Sequence, residues 1–255
     1  MTALGRAVSD SLTMAHRSVR HSLRNLESLL MSVILPVVLL LMFVHVFGGA
    51  IDPAGGYVDY VVPGIILLCT GYGAASTAVN VNLDLTEGVM DRFRSMPILS
   101  SAVLTGHVAA SVARNALATT LVVGVAHLAG FRPRAGVADW LAAAGLLLLY
   151  VLALSWVAVC AGLLARTVEG ANAVTFVVLF LPYLSSAFVP TETLRPVLRA
   201  IAEAQPITPV TETLRGLLLG TPIGSYGPQA VAWCLGLLLG AYALASLLFR
   251  RRTAG

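Results

Sequence analysis

Six apolar runs limit what this chain can fold into. They occupy residues 28–47, 60–83, 102–130, 140–165, 170–191 and 228–249; five lack any charged residue, and 102–130 holds only Arg114. A bilayer core takes ~20 consecutive apolar residues as a helix. Each run reaches that length, so the pattern predicts an all-α membrane protein with six transmembrane helices in a single domain over 1–255. The first run starts late, is long and lacks an A-x-A exit, so it reads as an uncleaved span rather than a signal peptide.

Composition narrows the chemistry. The 255 residues are 58% hydrophobic and 11% charged, against roughly 25% charged in a soluble domain. All sixteen basic residues are Arg, and Lys is absent. A Walker A loop needs its Lys on the nucleotide phosphates, so ATP hydrolysis by that route is excluded. Schiff-base chemistry needs a Lys amine and falls with it. The net charge of +4 reflects Arg at the ends of spans, and no nucleic-acid partner is expected. Cys69, Cys160 and Cys234 all fall inside apolar runs. They outline neither a disulfide framework nor a metal site.

The arginines also orient the chain. With the N-terminus inside, ten lie on the inner side (Arg6, Arg17, Arg20, Arg24, Arg92, Arg94, Arg166, Arg250, Arg251 and Arg252). Five lie outside (Arg132, Arg134, Arg195, Arg199 and Arg215). The positive-inside rule then puts both termini in the cytoplasm of a multi-pass cell-membrane protein. Tyr57, Tyr60, Trp140 and Tyr226 fall near the outer interface, as an aromatic belt requires.

Segments outside the spans have their own patterns. In 1–27, Leu4, Val8, Leu12, Ala15, Val19, Leu23 and Leu26 recur at helical spacing, opposite Arg6, Arg17, Arg20 and Arg24. Such a helix lies on the inner membrane surface against lipid; a partner-binding helix or a disordered arm is the alternative. The segment 192–222 holds two short amphipathic stripes, Leu194-Val197-Leu198-Ile201 and Val210-Leu214-Leu217-Leu218, separated by Pro206. Thr208 is expected to cap the second helix with Pro209 at its first position, and Gly220 to end it. Helices this short cannot span, and they form a lid or re-enter the outer leaflet.

The charged island 84–101 is the exposed handle on this chain. Asp84 and Glu87 stand in capping-box relation, predicting a helix start. Met90, Phe93 and Met96 follow on adjacent faces among Asp91, Arg92 and Arg94, and Pro97 stops the helix. Met and Phe among charges suit docking into a groove of another protein. A plain connecting loop with inner-side arginines is the other reading.

The stretch from Glu87 and Gly88 through Met90, Arg92, Phe93, Met96 and Pro97 resembles the cytoplasmic motif of the ABC type-2 permease family. It is nearest the actinobacterial antibiotic exporters of the daunorubicin-resistance kind. A second resemblance runs from Leu181-Pro182 to Pro190, then through Gln205-Pro206, Thr208-Pro209 and Arg215-Gly216; Gln205 stands where the family has asparagine. The resemblance implies a half-transporter that pairs with a second permease subunit, as a homodimer. It also implies a separate ATP-binding cassette subunit that carries ATP and Mg, so this chain holds no cofactor. The loop with Glu87, Gly88, Arg92 and Pro97 would be its coupling helix. Pro190, Pro206, Thr208 and Pro209 would belong to short extracellular re-entrant helices that act as a gate.

Within the spans, Arg114 and Asn115 form a candidate polar site, because an ionisable group in the bilayer is expensive. Arg114 is expected to pair with Asp84 or Glu87, to snorkel, or to serve transport. His45, His107 and His127 read as solitary packing residues. Gly236 and Gly240 give a GxxxG that allows close helix contact, within the subunit or between subunits. Pro36 and Pro182 lie inside spans and are expected to bend them, with neighbours satisfying the freed carbonyls. Asn80, Asn82, Thr175, Ser185 and Ser186 have no spacing that identifies a substrate.

The expected function is export of a small hydrophobic drug or natural product, driven by the partner's ATP. Export of a lipid-linked saccharide or envelope component is the alternative within that class. A secondary transporter or channel, or a membrane enzyme, would need intramembrane carboxylates or clustered acid–base groups. The six runs contain neither.

Overall fold

A computed structural model describes residues 26–52, 56–87 and 100–253. The expected interfacial helix, through residue 25, and the island from 88 to 99 lie outside them. Among the described residues, eight helices of nine residues or more carry the fold. They are α1 (Leu26–Met42), α2 (Tyr57–Thr86), α3 (Ser100–Leu128), α4 (Val137–Leu164), α5 (Val168–Phe180), α6 (Pro196–Ala204), α7 (Ile207–Leu219) and α8 (Tyr226–Thr253). No strand occurs among the described residues.

Helix α1 continues through a π-helical turn, Phe43–Phe47, into Gly48–Ile51. Pro36 lies inside α1, where its missing N–H takes the usual helical donor from the carbonyl four residues back. That carbonyl belongs to Ser32, and the Cys69 thiol of α2 donates to it at 3.6 Å. The bundle therefore supplies from a neighbouring helix the bond that proline removes.

Helix α2 is the axis of the bundle and packs against α1, α3, α4, α5 and α7. Val61, Val62, Ile65, Leu67, Leu68 and Cys69 are fully buried on it. Association in a bilayer gains little from burying apolar surface, so it depends on close packing of small residues. A Cβ at Gly64 would sit 2.6 Å from Ala187 Cβ, and one at Gly162 would sit 2.5 Å from the Ala78 carbonyl oxygen. These contacts set how near α2 lies to its neighbours. A second core gathers Val81, Val103, Leu104, Trp156, Cys160 and Phe249 toward the Glu87 end.

Five helices are long and apolar enough to cross a membrane, within Ser32–Ile51, Tyr57–Thr86, Val103–Leu128, Val137–Leu164 and Tyr226–Phe249. The expected span at 170–191 differs. Its helix ends at Phe180 and tightens into a 3-10 turn, Leu181–Leu184, containing Pro182. Ser185 then turns extended, with φ −130° and ψ −174°. Pro182 does more than bend this stretch: with no N–H to continue the α ladder, it ends the α-helix there. Residues 185–188 continue as irregular chain buried against α2 and α7, and the chain emerges to an exposed Pro190.

The second short helix also starts earlier than its caps predict. Pro206 is the N-cap of α7, so Thr208 and Pro209 lie within its first turn. The Thr208 hydroxyl instead donates to the Ala202 carbonyl at 2.6 Å, holding α6 to α7. Gly220 does end the helix, with φ +72°, a left-handed conformation that glycine adopts without penalty. Ile207, Val210, Leu214 and Leu218 of α7 join the main core, whereas Val197, Leu198 and Ile201 of α6 remain exposed.

Candidate functional site

Three polar regions lie along the bundle. At the Glu87 end, α2 runs on through the first three island residues. Asp84 sits in its last turn, and Glu87 is its C-cap, with its N–H bonded to the Leu83 carbonyl. Asp84 therefore does not start a helix. The helix is already running, and the Asp84 carboxylate turns away from its own backbone. Asp84 Oδ2 lies 2.9 Å from His107 Nε2 on α3, so His107 is not solitary. Nearby, Asn82 donates to the carbonyls of Gly162 at 3.2 Å and Ala165 at 2.9 Å. It thereby satisfies carbonyls that the end of α4 leaves open. Among the predicted docking residues, Glu87 is exposed at this end. Gly88, Met90, Arg92, Phe93, Met96 and Pro97 lie outside the described residues.

Halfway along, Arg114 of α3 is 2% exposed. It donates to the Gly73 carbonyl at 3.2 Å and the Thr77 hydroxyl at 3.1 Å, both on α2. Asp84, expected as its partner, faces His107 instead. Snorkelling is also overturned, because the guanidinium is held against α2 inside the bundle. Asn115 donates to the Ser111 carbonyl and hydroxyl, at 3.0 and 3.3 Å. The Ser155 hydroxyl of α4 is hydrogen-bonded to the Ser111 hydroxyl at 2.8 Å. These groups form a polar layer joining α2, α3 and α4. Gly73 makes room for it: a Cβ there would lie 2.1 Å from Asn115 Oδ1.

At the Tyr57 end, Arg215 of α7 is 7% exposed. Its guanidinium donates to the Tyr60 carbonyl and, at 3.0 Å, to the Ser186 carbonyl. It also pairs with Glu212 and stacks 3.7 Å over the Tyr60 ring. The Tyr60 hydroxyl donates to Ser186 at 2.8 Å, and the Tyr57 hydroxyl to the Phe188 carbonyl at 2.9 Å. Gln205 donates to the Leu181 carbonyl at 3.1 Å. The bonds to Ser186 and Phe188 pin the irregular chain after Pro182, and the Gln205 bond holds the 3-10 turn that leads into it. Tyr57 is consequently a buried strut, 3% exposed, while Trp140 and Tyr226 stay partly exposed as interfacial residues should. Of the predicted gate residues, Thr208 and Pro209 are buried in this region, while Pro190 and Pro206 flank it.

Several of these groups had weak signals in the sequence. Arg215 counts as an outer-loop charge, although Glu212 three residues earlier hints at a paired helical face. His107 is a polar interruption in an apolar run. Nothing local identifies Asp84, 23 residues away, as its partner. The GxxxG glycines of α8 make no close packing contact among the described residues. A Cβ on Gly236 or Gly240 meets no described atom within 4 Å.

Long apolar helices, an arginine held inside the bundle and an irregular re-entry pinned by side chains define a multi-pass membrane protein. Comparison with known proteins makes that class specific. The chain belongs to the ABC-2 type transporter family, whose model matches residues 10–219. It is 32% identical over 237 residues to the daunorubicin resistance ABC transporter permease protein DrrB1 of Streptomyces coeruleorubidus. That alignment covers 91% of this chain and 80% of the relative. The family is one of transport permeases rather than enzymes.

Proposed function

We propose that this chain is the permease subunit of an ATP-driven exporter that moves a small hydrophobic drug or natural product out of the cell. The ATPase is a separate polypeptide carrying ATP and Mg. Two copies of this chain pair within the membrane, both termini lie in the cytoplasm, and the island 84–101 is where the ATPase grips.

The geometry at the Glu87 end carries this reading. The island joins α2, the most enclosed helix, directly to α3. The Asp84–His107 contact, 2.9 Å long, fastens the two helices where they enter it. A displacement of the Glu87 end of α2 would reach the core of the bundle along the helix itself. The absence of Lys supports an external source of ATP energy. The name of the S. coeruleorubidus relative supports a drug as cargo.

Co-expression with a candidate Walker A ATP-binding cassette ATPase from the same source, followed by affinity purification, tests the reading. A stable complex whose ATP turnover responds to hydrophobic antibiotics is expected. Failure of the two chains to associate would overturn the proposal.

A further inference from the structure

One extra residue sets the outer end of α1. Among the described residues of α1 and its continuation, Ser32, Pro36, Leu40 and Gly48 are the buried positions. An α-helix turns ~100° per residue, so each four-residue step drifts by about 40°. Carried on regularly, Gly48 would face about 160° away from Ser32, toward hydrocarbon. The π-helical turn Phe43–Phe47 prevents this. A π turn holds one residue more than an α turn, which takes back about 100° and returns Gly48 to α2. There a Cβ on Gly48 would lie 3.6 Å from the Tyr57 ring. The contact is backbone against ring, with no side chains interlocked.

The same turn touches the irregular chain after Pro182. Phe43 stacks on Phe188, with ring centroids 4.6 Å apart and planes 25° from parallel. The Phe188 carbonyl in turn accepts the Tyr57 hydroxyl at 2.9 Å. Phe188 is thus stacked on α1 and bonded to α2. Beyond Phe43 little holds α1 in place. The π turn has no fully buried residue, and Val46, Phe47 and Ile51 are exposed. A side chain at Gly49 would meet no described atom within 4 Å. Sharp bends in long helices occur at π-bulges, and such turns recur at functional sites.

We propose that the turn Phe43–Phe47 is a hinge through which the outer end of α1, Gly48–Ile51, follows movement of the chain at 185–188. Phe188 is the link: when it shifts, the Phe43 ring stacked on it shifts too. The wide turn then bends or gives up its extra residue to a regular α turn, rotating what lies beyond by up to about 100°. Gly48 is free to leave Tyr57 because no side chain has to be withdrawn. The hinge belongs to the bundle alone. It needs neither ATPase nor cargo, and its test stands apart from the transport proposed above.

The full chain, in nanodiscs of synthetic phosphatidylcholine, carries a nitroxide attached through Gly49→Cys. Cys69, Cys160 and Cys234 are buried and stay unlabelled. Tyr57→Phe keeps the ring beside Gly48 but frees the Phe188 carbonyl. It should raise the mobile fraction of the spin-label spectrum about fivefold, the worth of one hydrogen bond. Phe43→Leu unstacks the link, and adding it should abolish that response. Deletion of His45, an exposed residue of the turn, leaves a regular helix with Gly48 still on Tyr57. It should keep the wild-type melting temperature, whereas deletion of the exposed Val38 from the regular part of α1 should lower it. In the protein lacking His45, Tyr57→Phe should leave the spectrum unchanged. A nitroxide indifferent to Tyr57→Phe, or a response that survives Phe43→Leu or loss of His45, would overturn the proposal. So would deletion of His45 as damaging as deletion of Val38.

Discussion

Asp84, in the last turn of α2, lies 2.9 Å from His107 of α3, each at the mouth of the segment that joins the two helices. Their side chains are 32% and 13% exposed, respectively, so the contact sits at the edge of the bundle. A pair this exposed contributes about 1 kcal/mol or less to stability. Its proposed value is mechanical: it makes the two ends of the island move together.

Asp84→Asn and His107→Ala should therefore leave expression and membrane insertion near wild type while lowering ATP-driven export. Removing both should cost no more than removing either, because one contact is lost in each case. Export rates at matched protein levels, arranged as a double-mutant cycle, check this. Strictly additive losses would show that the two residues act separately.

The polar layer gives a second expectation. Gly73→Ala places a Cβ where Asn115 Oδ1 now lies, 2.1 Å away. Overpacking of this kind costs about 1–3 kcal/mol, visible as a lower melting temperature in detergent. Adding Asn115→Ala should restore part of the loss by vacating the space. A Gly73→Ala protein as stable as wild type would contradict the packing described for α2 and α3.

Arg114 should tolerate replacement poorly. Arg114→Leu removes a charge that costs ~2.5–3.5 kcal/mol to place at mid-span, but it also removes bonds to Gly73 and Thr77. If the layer serves only to hold helices, the folded yield changes while export per folded molecule does not. A fall in export at unchanged yield and thermal stability would assign Arg114 to transport itself.

Arg215 fastens the irregular chain after Pro182. Arg215→Leu leaves the half-buried Glu212 without its cation and removes the guanidinium's bonds to the Tyr60 and Ser186 carbonyls, each worth about 1.5–3 kcal/mol for a charged donor. Tyr60→Phe removes a single bond to Ser186, worth about 1 kcal/mol. Thermal melts of the two variants should fall in that order. A larger loss for Tyr60→Phe would mean that Arg215 is not the main fastener.

The apolar runs were legible because hydropathy is a local property: five runs became helices long enough to cross a bilayer. Pro36 was legible as a proline whose freed carbonyl a neighbour satisfies, and Gly220 as a helix end. The island's capping box was misleading for a physical reason. Asp84 and Glu87 have the spacing of a helix start, but the unbroken run before them had no residue to stop α2. A partner 23 residues distant then took the carboxylate. Thr208 failed as a cap in the same way, because tertiary bonds to Ser186 and Ala202 outweighed a local one. Pairings of Arg114, Arg215 and Asn82 depend on which helices meet, and no spacing within one segment encodes that.

ATP-driven uptake into inside-out vesicles tests the central account most directly. Chains carrying Glu87→Ala or Arg92→Ala would be compared with wild type, each in complex with the ATPase. The account predicts normal insertion, with cargo uptake reduced at least about tenfold for each variant, the scale of about 1.4 kcal/mol of lost coupling. Undiminished uptake at equal expression would contradict transmission through the segment between α2 and α3.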